Sequence, residues 1–223
     1  MGIARRLSAT DAVFSAIDAV LPPTDGVVAL DHVSWATFTS LASESRGGRL
    51  AYDRGRLEII SPSLGHENVK SLLCRFIEMF AEERGIDLVA AGSVTLARND
   101  LDRGIEADAC YFFGSHARLR SRDAIDLAVD PPPELAVEVD MSQSSVNKLA
   151  IYAALGVAEI WRTDGRTIEI LQLGPDGYRL AAVSGLLPGF PRAEAMRLLV
   201  NREAMSDTQA AHEMRAACRS VAT

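Results

Sequence analysis

The chain has 223 residues, of which 48% are hydrophobic and 24% are charged, so its composition is that of a globular protein with a sizeable core. A formal net charge of -7 argues against a protein that coats nucleic acid through bulk charge, although a local cationic groove is not excluded. The three cysteines form no CxxC pair and no apolar run could span a membrane, so we expect a protein of the reducing cytoplasm without zinc, disulfides or a membrane segment.

Proline and glycine divide the beginning of the chain from the rest. Residues 1–20 have the pattern of a short amphipathic helix, and Pro22, Pro23 and Gly26 interrupt the chain after it. The later chain shows no comparable division before its polar, alanine-rich end. We therefore predict an N-terminal extension over residues 1–30, one domain over residues 31–204 and a C-terminal tail over residues 205–223.

The domain is predicted to begin with a helix and a hairpin. Ser34 is a good N-cap for a helix that ends at the glycine pair 47–48. Leu50–Tyr52 and Arg56–Ile60 then read as two strands around a turn over residues 53–55. A second helix follows from His66 to Gly85, because its apolar residues recur at helical spacing. These residues are Val69, Leu72, Leu73, Phe76, Ile77 and Phe80.

Short apolar segments after Gly85 predict a series of strands. The segments are Asp87–Ala91, Ser93–Ala97, Ile105–Phe113 and Leu135–Val139. The last of them is followed by a predicted helix over Gln143–Leu155, a glycine and another strand over Val157–Trp161. This is a strand–helix–strand pattern. An antiparallel pair over Thr167–Leu173 and Tyr178–Ser184 and a helix over residues 192–203 complete the prediction.

Acidic residues within these predicted strands are the candidates for chemistry. Glu58, Asp108 and Glu138 each lie in a segment that is otherwise suited to burial, where a carboxylate is costly without a partner. Asp140 should point to the same side of its strand as Glu138. Two carboxylates about 4 Å apart repel by roughly 4 kcal/mol at an effective dielectric constant of about 20. A cation between them would remove this repulsion, and oxygen ligands suit Mg²⁺ or Mn²⁺.

Three runs of sequence resemble one family. The runs SPSLGHE, EADACYFF and LAVEVDMSQSSVNKLAIYAALGVAEIWRTDG resemble the Uma family of predicted endonucleases, which belongs to the restriction-endonuclease-like PD-(D/E)XK nucleases. The resemblance extends from about Trp35 to Phe190, and its most specific part is the pattern KxxxYxxxGVxExW from Lys148 to Trp161. It implies an α/β restriction-endonuclease-like fold, in which a mixed central sheet is flanked by helices.

The resemblance also implies roles for particular residues. Asp108 corresponds to the first acid of the nuclease motif and Glu138 to the second, so these two carboxylates are expected to bind Mg²⁺ or Mn²⁺. Glu58 and His66 match a glutamate and a histidine that flank the Ser-Pro turn in the family. Glu58 would assist catalysis directly or through water, and His66 would support the site.

Two positions depart from the motif. Ala107 stands where the motif has proline, which changes the stiffness of the backbone but not the ligands. Asp140 stands where the motif lysine is usual, so Lys148 on the next helix is the expected substitute that orients the attacking water. Asp140 is then either a supporting ligand or a sign that activity has been lost.

The resemblance and the acids together predict a divalent-metal-dependent endonuclease that acts on DNA. We expect a homodimer, because two sites related by symmetry can cut both strands of a duplex. Two alternatives stay open. The first is a non-catalytic nucleic-acid-binding or scaffold protein on a decayed nuclease fold, which Asp140 and the acidic charge favour. The second is a metal-independent hydrolase that uses Asp108 and Glu138 as an acid and base pair. The nearest thing to a cationic cluster is Arg118, Arg120 and Arg122, a pattern more typical of a solvated loop.

Overall fold

The structure is a computed structural model and describes residues 26–44, 48–114, 125–141 and 146–220. The helix predicted over residues 1–20 and the arginines at 118, 120 and 122 lie outside these ranges.

The described chain contains eleven strands and five α-helices. The strands are β1 Gly26–Leu30, β2 Arg49–Asp53, β3 Arg56–Ser61, β4 Leu88–Gly92, β5 Thr95–Arg98, β6 Arg103–Glu106, β7 Ala109–Phe113, β8 Leu135–Val139, β9 Glu159–Thr163, β10 Ile168–Gly174 and β11 Gly177–Ala181. The helices are α1 Trp35–Glu44, α2 Leu64–Arg84, α3 Lys148–Leu155, α4 Arg192–Val200 and α5 Asp207–Ser220.

The strands form two sheets. The first has five antiparallel strands in the order β1-β3-β2-β6-β5. The second has six strands in the order β11-β10-β9-β8-β7-β4, and its β8–β9 pair is parallel while its other pairs are antiparallel. Helix α3 lies between β8 and β9 in the chain, as a parallel connection requires. The predicted mixed sheet flanked by helices is confirmed, and an antiparallel sheet accompanies it.

Alternation along the strands of the second sheet gives it two apolar faces. Leu135, Val137 and Val139 of β8 point to the face that α2, α4 and α5 cover. Ala136, between them, points to the opposite face and packs with α3 and with residues of the first sheet. A third apolar cluster joins α1 to β2 and β3 of the first sheet. Side chains at even positions of β8 therefore lie between α3 and the junction of the two sheets.

The segment Ile105–Phe113, predicted as one strand, is two strands in different sheets. Its first part belongs to β6, which pairs with β2 and β5 in the first sheet. Its second part is β7, which pairs with β4 and β8 in the second sheet. The chain crosses between the sheets at Ala107 and Asp108, where no proline or glycine marks the break. The single-strand prediction was wrong because every residue of the segment is compatible with a strand.

The other predicted elements occur close to their predicted positions, and local capping explains several of their ends. The Ser34 hydroxyl accepts from the Thr37 amide at 3.2 Å and begins α1. Helix α2 begins at Ser63, whose hydroxyl accepts from the His66 amide at 3.1 Å, and ends at Gly85 with a φ of 63°. Helix α3 was predicted from Gln143 but begins at Lys148, while residues 142–145 lie outside the described chain.

Two segments outside the predicted domain pack against it. Strand β1 pairs with β3. Helix α5 buries Ala210, Ala211 and Met214 in the core that it shares with α2 and α4, so it packs on its own chain. Where the limits of the domain lie stays a prediction. Within the described residues, no helix is both long and apolar enough to cross a membrane.

Candidate active site at the junction of the two sheets

The two predicted metal-binding acids lie on neighbouring strands. Strands β7 and β8 are antiparallel with Ala109 opposite Val137, so Asp108, one residue before β7, comes beside Glu138. Both residues are 4% exposed. The charge of Asp108 adds to the rise in the pKa of Glu138 that burial causes. The structure thus brings these two acids together.

Three donors surround the carboxylate of Asp108. Its Oδ1 lies 3.3 Å from Nε of Arg49 on β2, and its Oδ2 lies 3.2 Å from Nε2 of His66 on α2. The same Oδ2 accepts from the Val139 amide at 2.8 Å. Burial raises the pKa of Asp108, but the hydrogen bond and charge of His66, the Val139 amide and the charge of Lys148 together hold that pKa below its usual range. Asp108 is therefore held as an anion.

Two side chains of α3 hold the carboxylate of Glu138. Nζ of Lys148 donates to Oε2 at 2.8 Å, and the hydroxyl of Tyr152 donates to Oε1. Burial raises the pKa of Glu138; the Lys148 ammonium opposes this effect and the charge of Asp108 adds to it, so the pKa stays above its usual range. Glu138 is thus the more easily protonated of the two acids.

Helix α3 is built so that both donors reach the site. The side chain of Asn147 accepts from the Ala150 amide at 3.1 Å and begins the helix, and Gly156 ends it with a φ of 82°. Lys148 and Tyr152 are one turn apart and share one side of the helix. Burial lowers the pKa of Lys148, but the carboxylates of Glu138, Asp108 and Asp140 together raise it above its usual range, so the amine keeps its proton.

Burial raises the pKa of Tyr152 well above its usual range, and the neighbouring charge of Glu138 raises it further. The phenol therefore keeps its proton and acts as a donor.

A cleft of about 540 Å³ opens onto this side of the sheet. Asp140 is exposed in its wall, and its amide donates to the Thr163 carbonyl at 2.8 Å. Asp140 also raises the pKa of Lys148 through its charge. Glu138 and Asp140 both line the cleft, which agrees with the expectation that they point to the same side of their strand. The polar and charged residues around the cleft are Glu138, Asp140, Asn147, Lys148, Tyr152 and Arg162.

Glu58 is the candidate acid that the first sheet contributes. It is on β3 in the first sheet, is 0% exposed, and its Oε1 accepts from the Val146 amide at 2.9 Å. Val146 is two residues before Lys148, and the Val146 carbonyl accepts from the Lys148 amide at 3.0 Å. The contact seen for Glu58 is therefore with the backbone that leads into α3.

Arg49 and Tyr152 are site residues that the sequence reasoning missed. Arg49 precedes Asp108 by 59 positions and comes from the other sheet, so no local pattern connects them. Its Nη2 also lies 3.4 Å from Oε1 of Glu67, next to His66. Tyr152 is the tyrosine of the KxxxYxxxGVxExW pattern and is fully buried, as a core residue would be, but its spacing of four from Lys148 is a signal that both lie on the same side of α3.

The donor set suits a hard cation. The acids offer carboxylate oxygens only, and Mg²⁺ commonly binds one or two carboxylates and keeps several waters. Within the described residues, no group of three or more histidine, cysteine, aspartate or glutamate side chains is arranged to hold a metal ion. A cation at Asp108 and Glu138 would need water or substrate oxygens as its other ligands.

The fold and the site define an α/β protein with paired buried acids on adjacent strands of a mixed sheet. The sequence profile of the Uma2 family, whose members are described as putative restriction endonucleases, matches residues 35–200. The match covers most of the chain, and the chain belongs to this family. No curated protein has significant sequence similarity to it.

Proposed function

We propose that this protein is a divalent-metal-dependent endonuclease that hydrolyses phosphodiester bonds of DNA. The observation behind the proposal is the pairing of Asp108 and Glu138, two buried carboxylates that lie beside each other where β7 pairs with β8, with Glu138 at the wall of the cleft. Membership of the Uma2 family supports the same activity. A location in the cytoplasm and a homodimer that cuts both strands are further parts of the proposal.

Each residue has a distinct part in this proposal. Asp108 and Glu138 would hold Mg²⁺ or Mn²⁺, which supplies Lewis acidity toward a phosphoryl oxygen and toward water. His66 and the Val139 amide fix the orientation of Asp108. Lys148 stays cationic and lies against Glu138, where its ammonium can orient the attacking water or stabilise charge that develops on the phosphate.

Glu58 and Asp140 act around this centre. Glu58 fixes the backbone at Val146 and so the start of the helix that presents Lys148. Asp140, exposed at the wall of the cleft, adds negative charge that favours a cation there.

The test is Mg²⁺-dependent nicking of supercoiled plasmid by purified protein. Wild-type protein should nick the plasmid and EDTA should stop it. Glu138→Ala should abolish nicking, and Lys148→Ala should slow it by about 10²–10³-fold. Glu203→Ala is the matched control, because this side chain is 90% exposed and should be dispensable. Equal cleavage by Glu138→Ala and wild type would end the assignment, and cleavage that survives EDTA would favour the metal-independent hydrolase.

A second candidate is a non-catalytic nucleic-acid-binding protein. The observation that favours it is that cationic side chains already contact both acids, Arg49 at Asp108 and Lys148 at Glu138. These contacts neutralise the carboxylates without a metal ion. Under this alternative the protein would bind DNA but would neither nick it nor bind Mn²⁺ at these residues.

A further inference from the structure

The hydrogen bond between Tyr152 and Glu138 has a consequence for metal binding, which rests on the function proposed above. The two oxygens of Glu138 have different partners: Lys148 at Oε2 and Tyr152 at Oε1. Tyr152 is 0% exposed, whereas the side chain of Lys148 is 20% exposed at the cleft. The phenol is therefore the donor that the surrounding protein fixes, and the ammonium is the one with room to move.

We infer that Tyr152 is a positioning residue for the metal site: its hydroxyl fixes the carboxylate of Glu138 in the orientation that binds the cation. A carboxylate oxygen has two lone pairs, so Oε1 can accept from Tyr152 and still be a ligand. A buried donor behind a ligand restricts its rotation, and loss of such a partner typically weakens metal binding or activity by about 10- to 100-fold. The Lys148 ammonium has three N–H groups, so it can donate to Glu138 and still act toward water and phosphate.

The packing of Tyr152 supports this assignment. Its ring lies in the apolar cluster between the second sheet and α3, together with Ala136, Ile151 and Leu155. The cluster holds the ring in place, so the hydroxyl reaches Glu138 without an entropic cost at the time of metal binding. A phenylalanine would fill the same space and remove only the donor.

The first experiment compares Mn²⁺ binding by titration calorimetry in wild type, Tyr152→Phe and Tyr178→Phe. Tyr178 is the matched control, because its hydroxyl donates to the Val157 carbonyl at the edge of the same cluster and away from the acids. Tyr152→Phe should raise the Kd about tenfold or more, and Tyr178→Phe should leave it unchanged. In the nicking assay, Tyr152→Phe should lower kcat by a similar factor with little change in KM.

The outcomes separate the two proposals. Equal Kd values for wild type and Tyr152→Phe would overturn the positioning role while the nuclease assignment stands. Absence of Mn²⁺ binding by the wild type would overturn the proposed function and this inference with it.

A second measurement does not need the metal or the activity. Tyr152→Phe should destabilise the metal-free protein in the wild-type background, and this loss should vanish when Glu138→Ala has removed the acceptor. Equal destabilisation in both backgrounds, measured by urea unfolding, would show that the hydroxyl does not act through Glu138.

Discussion

Asp108 and Glu138 differ in how the protein treats their charge. Asp108 has Arg49, His66 and a backbone amide around it, and its pKa is lowered. Glu138 is buried beside another anion, and burial together with that neighbouring charge raises its pKa. The pair is thus arranged so that one acid is reliably ionised and the other ionises more easily when a further positive charge is present. A divalent cation would supply that charge.

The lowered pKa of Asp108 predicts a dependence of stability on pH. A carboxyl group whose pKa is lower in the folded state than in the unfolded state stabilises the fold at pH values above its unfolded-state pKa, which is about 3.9 for aspartate. This contribution is lost as the pH falls through the folded-state pKa. Asp108→Asn should therefore be less stable than wild type at pH 6, and the difference between the two curves should shrink as the pH falls below about 3.9. The measurement is urea unfolding of the metal-free proteins from pH 2.5 to pH 7.

Glu203→Gln is the control for this experiment, because the Glu203 side chain is 90% exposed and follows α4 in the chain. Its curve should stay close to that of wild type. A constant difference between Asp108→Asn and wild type at every pH would show that the titration of Asp108 does not contribute to stability.

At the scale of elements, the sequence predicted those parts whose signal is local. The periodicity of α2, the strand–helix–strand unit around α3 and the hairpin of β2 and β3 all depend on neighbouring residues, and they occur as predicted. The break at Ala107 could not be predicted, because it results from pairing with two different sheets. Arg49 could not be predicted either, since its contact with Asp108 joins residues far apart in sequence.

The family motif supplied what local pattern could not. Spacing alone did not distinguish Glu138 from any other strand acid, and the resemblance selected Asp108 as its partner before the structure placed them on adjacent strands. The contact of Glu58 with the start of α3 depends on the junction of the sheets, which neither source of information revealed.

This contact gives a prediction for α3. Glu58→Ala leaves the Val146 amide without its buried acceptor and should lower the free energy of unfolding by about 2 kcal/mol. Hydrogen exchange of that amide and of the first turn of α3 should become faster, and nicking should slow because Lys148 is less well placed. Glu58→Gln keeps an oxygen acceptor and should retain most of the protection. Unchanged exchange in Glu58→Ala would contradict a role for Glu58 in fixing α3.

At the scale of the whole molecule, the site is assembled where the two sheets meet. The first sheet contributes Arg49 and Glu58, the chain between the sheets contributes Asp108, and the second sheet contributes Glu138. With a net charge of -7, the molecule offers DNA no general attraction. Recognition by such a protein would depend on the cation at the acids and on the positive side chains around the cleft.

The central claim is that Asp108 and Glu138 hold one divalent cation between them. Titration calorimetry of the wild-type protein with Mn²⁺ tests it most directly, with Asp108→Asn and Glu138→Gln as the companion variants. The account predicts that wild type binds one equivalent of Mn²⁺ and that either substitution removes this binding. Wild-type protein that binds no Mn²⁺, or variants that bind it as wild type does, would contradict the account.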